Sequence, residues 1–199
     1  MRSVHNQSDQ GSGRAGGGQF DLGRRQRFEE IYAIVYEPLQ RYLRRRASID
    51  DADEVLDDVL LVLWQRLPTL AVDDCLPWCY GVARRALANR RRSMARRQGL
   101  LERLGAQPVQ VPIDEVGLDD YPALASAFRL LAESDREVLR LWAWEGLEPR
   151  EIATVLGTSA NAVSLRLTKA KKKLTGLLAG QNPDDAGHKE RENTGEHQS

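Results

Sequence analysis

Seven arginines stand between residues 84 and 97 with no acid among them: Arg84, Arg85, Arg90, Arg91, Arg92, Arg96 and Arg97. The planar guanidinium matches a phosphate bidentately and also stacks on bases. Trp78, Tyr80 and Asn89 are interleaved with this run. Rings among cations suit single-stranded or unpaired nucleic acid, whose exposed bases stack on them. The chemistry available here is therefore binding. Two plainer readings stand beside it: a solvated helix face for the arginines, and a core tryptophan for Trp78.

A second constellation lies at Pro149 to Leu174, PREIATVLGTSANAVSLRLTKAKKKL. Ile152, Ala153 and Leu156 share one helical face, Gly157 breaks the helix, and Ser159 caps the next one. In that next helix Val163 and Leu167 point inward, leaving Ser164, Arg166, Lys169, Lys171, Lys172 and Lys173 outward. Two helices joined by a short glycine turn, the second one basic, form a helix-turn-helix that can lay a helix in the major groove of DNA. The alternative is a plain helical hairpin, which the lysine cluster disfavours because phosphates require cations.

The third constellation is acidic. Asp50 and Asp51 suit a helix start, where the macrodipole favours negative charge. Asp53, Glu54, Asp57 and Asp58 extend further than a cap requires, and offer a surface to a protein partner of opposite charge. No catalytic set accompanies these features. His5, His188 and His197 lie in the terminal segments, and the chain has no phosphate-binding GxxxxGK[ST] loop and no nucleophile with a base beside it. Neither an enzyme activity nor a cofactor is expected. Cys75 and Cys79 are too few for a zinc site, and read as reduced, partly buried thiols, with a redox switch as the alternative.

These residues need helices to position them. Phe28, Ile31, Tyr32, Val35, Leu39, Tyr42 and Leu43 recur at steps of three and four, predicting a helix from about residue 24 to 46 that Pro38 kinks or splits. Val55, Leu56, Val59, Leu60, Leu63 and Trp64 stripe a second helix starting at Asp50 or Asp51. Residues 67–76 read as a loop, with Pro77 at the first position of a third helix that carries the arginines. Ser134 with Glu137 forms a capping box for a helix running toward Trp142, and Gly146 ends it. No period-2 alternation occurs, so the expected fold is all-α: two small helical domains, 24–98 and 123–178, joined by a flexible linker at 99–122. Residues 1–23 and 179–199 are polar enough to be disordered.

The net charge of zero hides this division. The linker carries one base against five acids, and the segment after Leu178 two bases against five acids, so two basic modules are separated by acidic connectors. No apolar run approaches membrane-spanning length and no signal peptide is visible, which fits a cytoplasmic protein without membrane insertion.

In their order along the chain, three segments resemble a bacterial RNA polymerase sigma factor of the extracytoplasmic-function (ECF) group. ADEVLDDVLLVLWQRL (Ala52 to Leu67) resembles region 2.2, PWCYGVARRALANRRR (Pro77 to Arg92) resembles regions 2.3 and 2.4, and residues 134–174 resemble region 4. The resemblance implies a non-enzymatic initiation factor that binds core RNA polymerase and directs it to promoter DNA. Asp53, Glu54, Asp57 and Asp58 would then face polymerase. Trp78, Arg84, Arg85, Asn89, Arg90, Arg91, Arg92, Arg96 and Arg97 would face the melted −10 element, next to the 67–76 loop that captures a flipped base. Ser159, Asn161, Ser164, Leu165, Arg166, Thr168, Lys169 and Lys172, within a helix-turn-helix at 149–172, would approach the −35 element. An anti-sigma factor is a further partner of many relatives. Arg85, Ser164 and Leu165 depart from the family's common Asn, Lys and Ser, and Glu148 from its usual Ser or Thr cap, which bears on promoter sequence. A stand-alone helix-turn-helix regulator is the alternative reading.

Overall fold

The computed structural model describes residues 15–103, 118 and 120–181, and the segments 1–14, 104–117 and 182–199, most of the expected tails and linker, lie outside them. Seven α-helices follow in order: α1 (Ala15–Arg44), α2 (Ile49–Arg66), α3 (Cys75–Arg103), α4 (Pro122–Arg129), α5 (Glu133–Ala143), α6 (Pro149–Leu156) and α7 (Ala160–Gln181), with one 3₁₀ turn at Leu67–Thr69 after α2. There is no strand among the described residues.

Helices α1, α2 and α3 form the N-terminal unit. They bury Ile31, Val35, Leu39 and Leu43 against Val55, Val59 and Leu63 and against Cys79, Ala83 and Leu87. Tyr42 and Tyr80 stack at 4.8 Å between ring centroids. Helix α1 runs through Pro38 unbroken. Proline removes one backbone hydrogen bond, but buried side chains on both sides of it, Val35 and Leu39, pin the helix to the same neighbours. Its start at Ala15 corrects the expectation of a disordered stretch to residue 23. Extending a nucleated helix is cheaper than starting one, and Arg24 anchors this end by donating to the Trp64 carbonyl at 2.7 Å. Likewise α3 begins at Cys75, two residues before Pro77, and runs to Arg103, and α7 runs to Gln181.

Helices α4 to α7 form the C-terminal unit around Phe128, Leu131, Val138, Leu141, Leu147, Ile152, Val155, Val163 and Leu167. The α5 start differs from the expected capping box. Ala132, not a serine, is its N-cap, without a side-chain hydrogen bond, and Glu137 turns instead toward Arg46, Arg84 and Arg140. The capping box lies at α6, where the Glu148 N–H donates to the Glu151 carboxylate at 2.8 Å. A longer acid thus does the work of the usual hydroxyl. Ser48 caps α2, accepting from the Asp51 N–H at 3.3 Å, so that helix opens just ahead of the expected Asp50.

The two units share one continuous apolar core, into which Leu118 from the expected linker is also buried. The join is α3 against α6, and it depends on Gly81. A Cβ placed at Gly81 would stand 3.4 Å from the Val155 carbonyl oxygen and 3.6 Å from its Cα. A mid-helix glycine costs about 0.5–1 kcal/mol relative to alanine, and here it lets two backbones approach. Gly81→Ala, whose methyl just fits, is expected to be neutral or slightly stabilising. Gly81→Leu is expected to drive α6 off α3, raising the radius of gyration in small-angle scattering; an unchanged radius would disprove the role given to this glycine.

Candidate nucleic-acid interface

At ~3.6 residues per turn, the arginines of α3 do not form one face. Arg84 and Arg91 fall on one stripe, Arg90 and Arg97 on a second, and Arg85, Arg92 and Arg96 on a third shared with Trp78, Val82 and Asn89. The contacts follow this division. Arg90 pairs with Asp51 and Glu54 of α2. Arg91 donates to the Arg46 carbonyl at 3.1 Å, and Arg84 lies 3.8 Å from Glu137 of the C-terminal unit. Arg85, Arg92, Arg96 and Arg97 remain exposed. Arg92 donates to the Asn89 side-chain oxygen at 2.5 Å, which orders two members of the third stripe.

That third stripe opens at its N-terminal end on a groove of about 560 Å³ lined by Val62, Arg66, Thr69, Leu70, Trp78, Val82 and Arg85. Trp78 is half-buried, packed against the core and lining the groove. The groove's far wall is the 3₁₀ turn and loop after α2. Arg27 holds that loop by donating to the Leu70 carbonyl at 2.5 Å, and Arg24 stacks over Trp64, 4.4 Å from its ring centroid. These two side chains were not singled out from sequence. Their only signal is a pair of cations three apart on α1, uninformative until α1 is docked. An aromatic wall, an apolar floor and two guanidinia at the rim can receive an unpaired base and its phosphates.

On α2, Asp53, Glu54, Asp57 and Asp58 are all exposed. Glu54 is engaged by Arg90, leaving Asp53, Asp57 and Asp58 to define the acidic surface.

Helix α6 ends at Gly157 with φ +66°, and the Thr158 N–H returns to the Ala153 carbonyl at 3.0 Å. This left-handed turn sets the angle of α7. Ser159 caps α7, accepting from the Ala162 N–H at 3.2 Å. Val163, Leu167 and Ala170 are buried, which turns Asn161, Leu165, Thr168 and Lys172 outward, with Ser164 and Lys169 flanking them and Arg166 at the edge. All seven, and Ser159, are exposed. The hydroxyls of Ser164 and Thr168 donate to the carbonyls of Ala160 and Ser164, both at 3.0 Å, so toward solvent they present acceptor lone pairs. Two of the lysines first read as outward are otherwise occupied. Lys173 pairs with Asp135 at 2.6 Å, and Lys171 sits 3.3 Å from the Trp142 ring centroid.

Cys75 and Cys79 are buried at the start of α3. Burial pushes both thiols up, Cys79 to about 12. Reactive cysteines are exposed and low in pKa, so the geometry opposes the redox-switch alternative. Ellman's reagent at neutral pH is expected to find neither thiol in the folded protein and both after denaturation. The shift also sets a pH limit. The folded-state value lies above the ordinary 9.0, so stability is intact below about pH 9 and falls as pH rises toward 12. Buried Tyr42 and Tyr80 are raised as well and act in the same direction. A melting temperature that stays flat from pH 8 to 11 would contradict this.

Among the described residues, no group of three or more His, Cys, Asp or Glu is placed to hold a metal ion, and no helix is long and apolar enough to cross a membrane.

Comparison with known proteins adds to this geometry. The family model described as Sigma-70, region 4 matches residues 122–174. The chain is 30% identical over 139 residues to RNA polymerase sigma factor NccH of Alcaligenes xylosoxydans xylosoxydans, covering 64% of this chain and 73% of that protein. It is 31% identical over 154 residues to ECF RNA polymerase sigma factor SigL of Mycobacterium tuberculosis, covering 74% and 84%. Two solved structures share the fold. CnrH in complex with the cytosolic domain of CnrY gives a TM-score of 0.53 at 23% identity, over 83% of this chain and 96% of that one. Sigma factor RpoE in complex with the anti-sigma factor NepR, from Bartonella quintana, gives 0.57 at 18% identity, over 78% and 98%.

Proposed function

The chain belongs to the ECF RNA polymerase sigma factors, and on that premise we propose how its surfaces divide the work of promoter-specific initiation. It binds core RNA polymerase and acts as an initiation factor in the cytoplasm, not as an enzyme. Asp53, Asp57 and Asp58 on α2 present the charge that orients docking on polymerase. The stripe of Trp78, Arg85, Asn89, Arg92 and Arg96 follows the unpaired −10 strand, with one base held in the groove beside Leu70. The outward face of α7, centred on Asn161, Leu165, Thr168 and Lys172, enters the −35 major groove while Lys169 and Arg166 reach phosphates. Residues 24–98 act as the −10 and polymerase-binding domain and 123–178 as the −35 domain. The anti-sigma partner in one similar structure extends to an anti-sigma factor for this chain.

The observation that carries this reading is the coexistence of the groove-plus-arginine stripe on α3 with a second basic helix on α7. A stand-alone operator-binding regulator uses only the second. Each surface alone is small, and tethering both to polymerase raises their effective concentration. In-vitro transcription with core polymerase tests it: the protein is expected to copurify with core and to give discrete transcripts from a two-element promoter. Tight operator binding without core, and no specific transcript with it, would overturn the reading.

A further inference from the structure

Arg84 and Arg91 face away from the proposed −10 stripe, into a cleft between the two units. The cleft measures about 520 Å³, and its lining includes Arg45, Arg46, Arg84, Arg91, Arg136 and Arg140 together with Tyr42 and Trp144. Against these six guanidinia stand Glu133 and Glu137 in the lining and Glu145 behind it, bound to Arg45 and Arg46. Arg136 and Arg140 pair with Glu133, and Arg45 and Arg46 with Glu145, which leaves Arg84 and Arg91 against Glu137. Glu137 is loosely met: Arg46, Arg84 and Arg140 approach its carboxylate at 3.9, 3.8 and 3.8 Å, none within hydrogen-bonding distance.

The unmet groups are donors. Arg46 is 6% exposed, and its Nε and Nη2 have no acceptor, nor do Arg45 Nε and the hydroxyl of fully buried Tyr42. The Arg46 guanidinium carbon also sits over the Tyr42 ring, 3.8 Å from its centroid. Buried donors without acceptors carry a desolvation cost of about 1–3 kcal/mol each. A group that only accepts, carries several negative charges and is flanked by oxygens in a tetrahedral array suits the exposed guanidinia of Arg84 and Arg91, with these buried donors adding positive potential behind them.

We propose that this cleft binds an oligophosphate, either pyrophosphate itself or the phosphate tail of a nucleotide. Its volume lies within the range of nucleotide-sized sites, about 300–1,000 Å³, and clefts between folded units are where such sites occur. Trp144 offers a ring at the wall for a base. The lining comes from both units: Tyr42 of α1, Arg45 and Arg46 just after it, and Arg84 and Arg91 of α3 on one side, Glu137 and the Glu133-paired Arg140 of α5 on the other. The ligand therefore holds the units in the arrangement described above. The site is separate from the promoter-reading surfaces and stands or falls without them.

Calorimetric titration of the full chain with pyrophosphate, ATP and a charge-matched single-stranded oligonucleotide tests the proposal. Pyrophosphate and ATP are expected to bind saturably at one site and to raise the melting temperature. Arg46 variants risk misfolding, because Glu145 would be left buried, so the rim is the better target. The double variant Arg84→Gln, Arg91→Gln is expected to weaken binding by about tenfold or more, in line with charge-assisted hydrogen bonds. Glu137→Gln removes the competing carboxylate and is expected to tighten binding by about tenfold. Tightening by removal of an acid on α5 is a response that phosphate binding along the exposed α3 stripe would not give. Absence of saturable binding by both small ligands overturns the proposal. So does binding that neither variant alters, or an oligonucleotide that responds to both variants as pyrophosphate does.

Discussion

Glu145→Ala is expected to lower the melting temperature by roughly 10 °C. Glu145 has only 2% of its side chain exposed and takes charge-assisted bonds from two consecutive arginines, Arg45 and Arg46, the latter at 2.9 Å. Removing the acid leaves Arg46 buried, with the Tyr42 carbonyl at 3.2 Å and the distant Glu137 as its remaining acceptors. Breaking a buried pair from one side costs about 3–5 kcal/mol because the other charge is stranded, whereas replacing both partners with apolar residues is often near neutral. The double variant Arg46→Met, Glu145→Leu is therefore expected to recover most of the loss. If the single and double variants lose equal stability in denaturant titrations, the stranded-charge argument fails.

The second large effect concerns transcription. Leu165 is 57% exposed at the centre of the outward face of α7. If α7 enters the −35 major groove as proposed, a branched aliphatic residue at that place is suited to apolar contact with a thymine methyl. Leu165→Glu keeps the helix and, as a surface change, is expected to leave stability within about 0.5 kcal/mol. It sets a carboxylate among phosphates, and like charges brought together at an interface cost several kcal/mol. Transcription from a promoter that needs its −35 element is expected to fall by about a hundredfold, close to 2.7 kcal/mol, with Leu165→Ala falling far less. A −35-independent promoter serves as the control. Equal losses on both promoters would remove Leu165 from the reading surface.

What the sequence revealed follows from what is local. The helix-turn-helix could be read because Ile152, Val163 and Leu167 keep helical period on either side of Gly157, and only glycine accepts φ +66° without strain. The acidic stripe of α2 was equally legible. The arginines of α3 were not. Composition marks a basic segment, but which of seven guanidinia is engaged by a neighbouring element depends on the phase of a helix packed on three sides. Arg90 is taken by α2 and Arg84 by the C-terminal unit, partners 36 to 53 positions away in sequence. The capping box failed for the same reason. Ser134 and Glu137 have the right spacing, yet Ala132 is the N-cap and the Glu137 carboxylate lies toward Arg46, Arg84 and Arg140.

The core that runs unbroken from α3 into α6 has a calorimetric consequence. Any step that lifts the C-terminal unit off Gly81 wets Val155 and its neighbours, and hydrating apolar surface raises heat capacity by about 0.45 cal/K/mol per Å². Docking on polymerase buries surface and lowers heat capacity. If docking parts the units, the two contributions oppose each other, and the net heat-capacity change will be smaller in magnitude than the docked area alone implies. Comparing wild type with a Gly81→Leu protein, which is expected to be parted already, reads the difference as the heat capacity of opening.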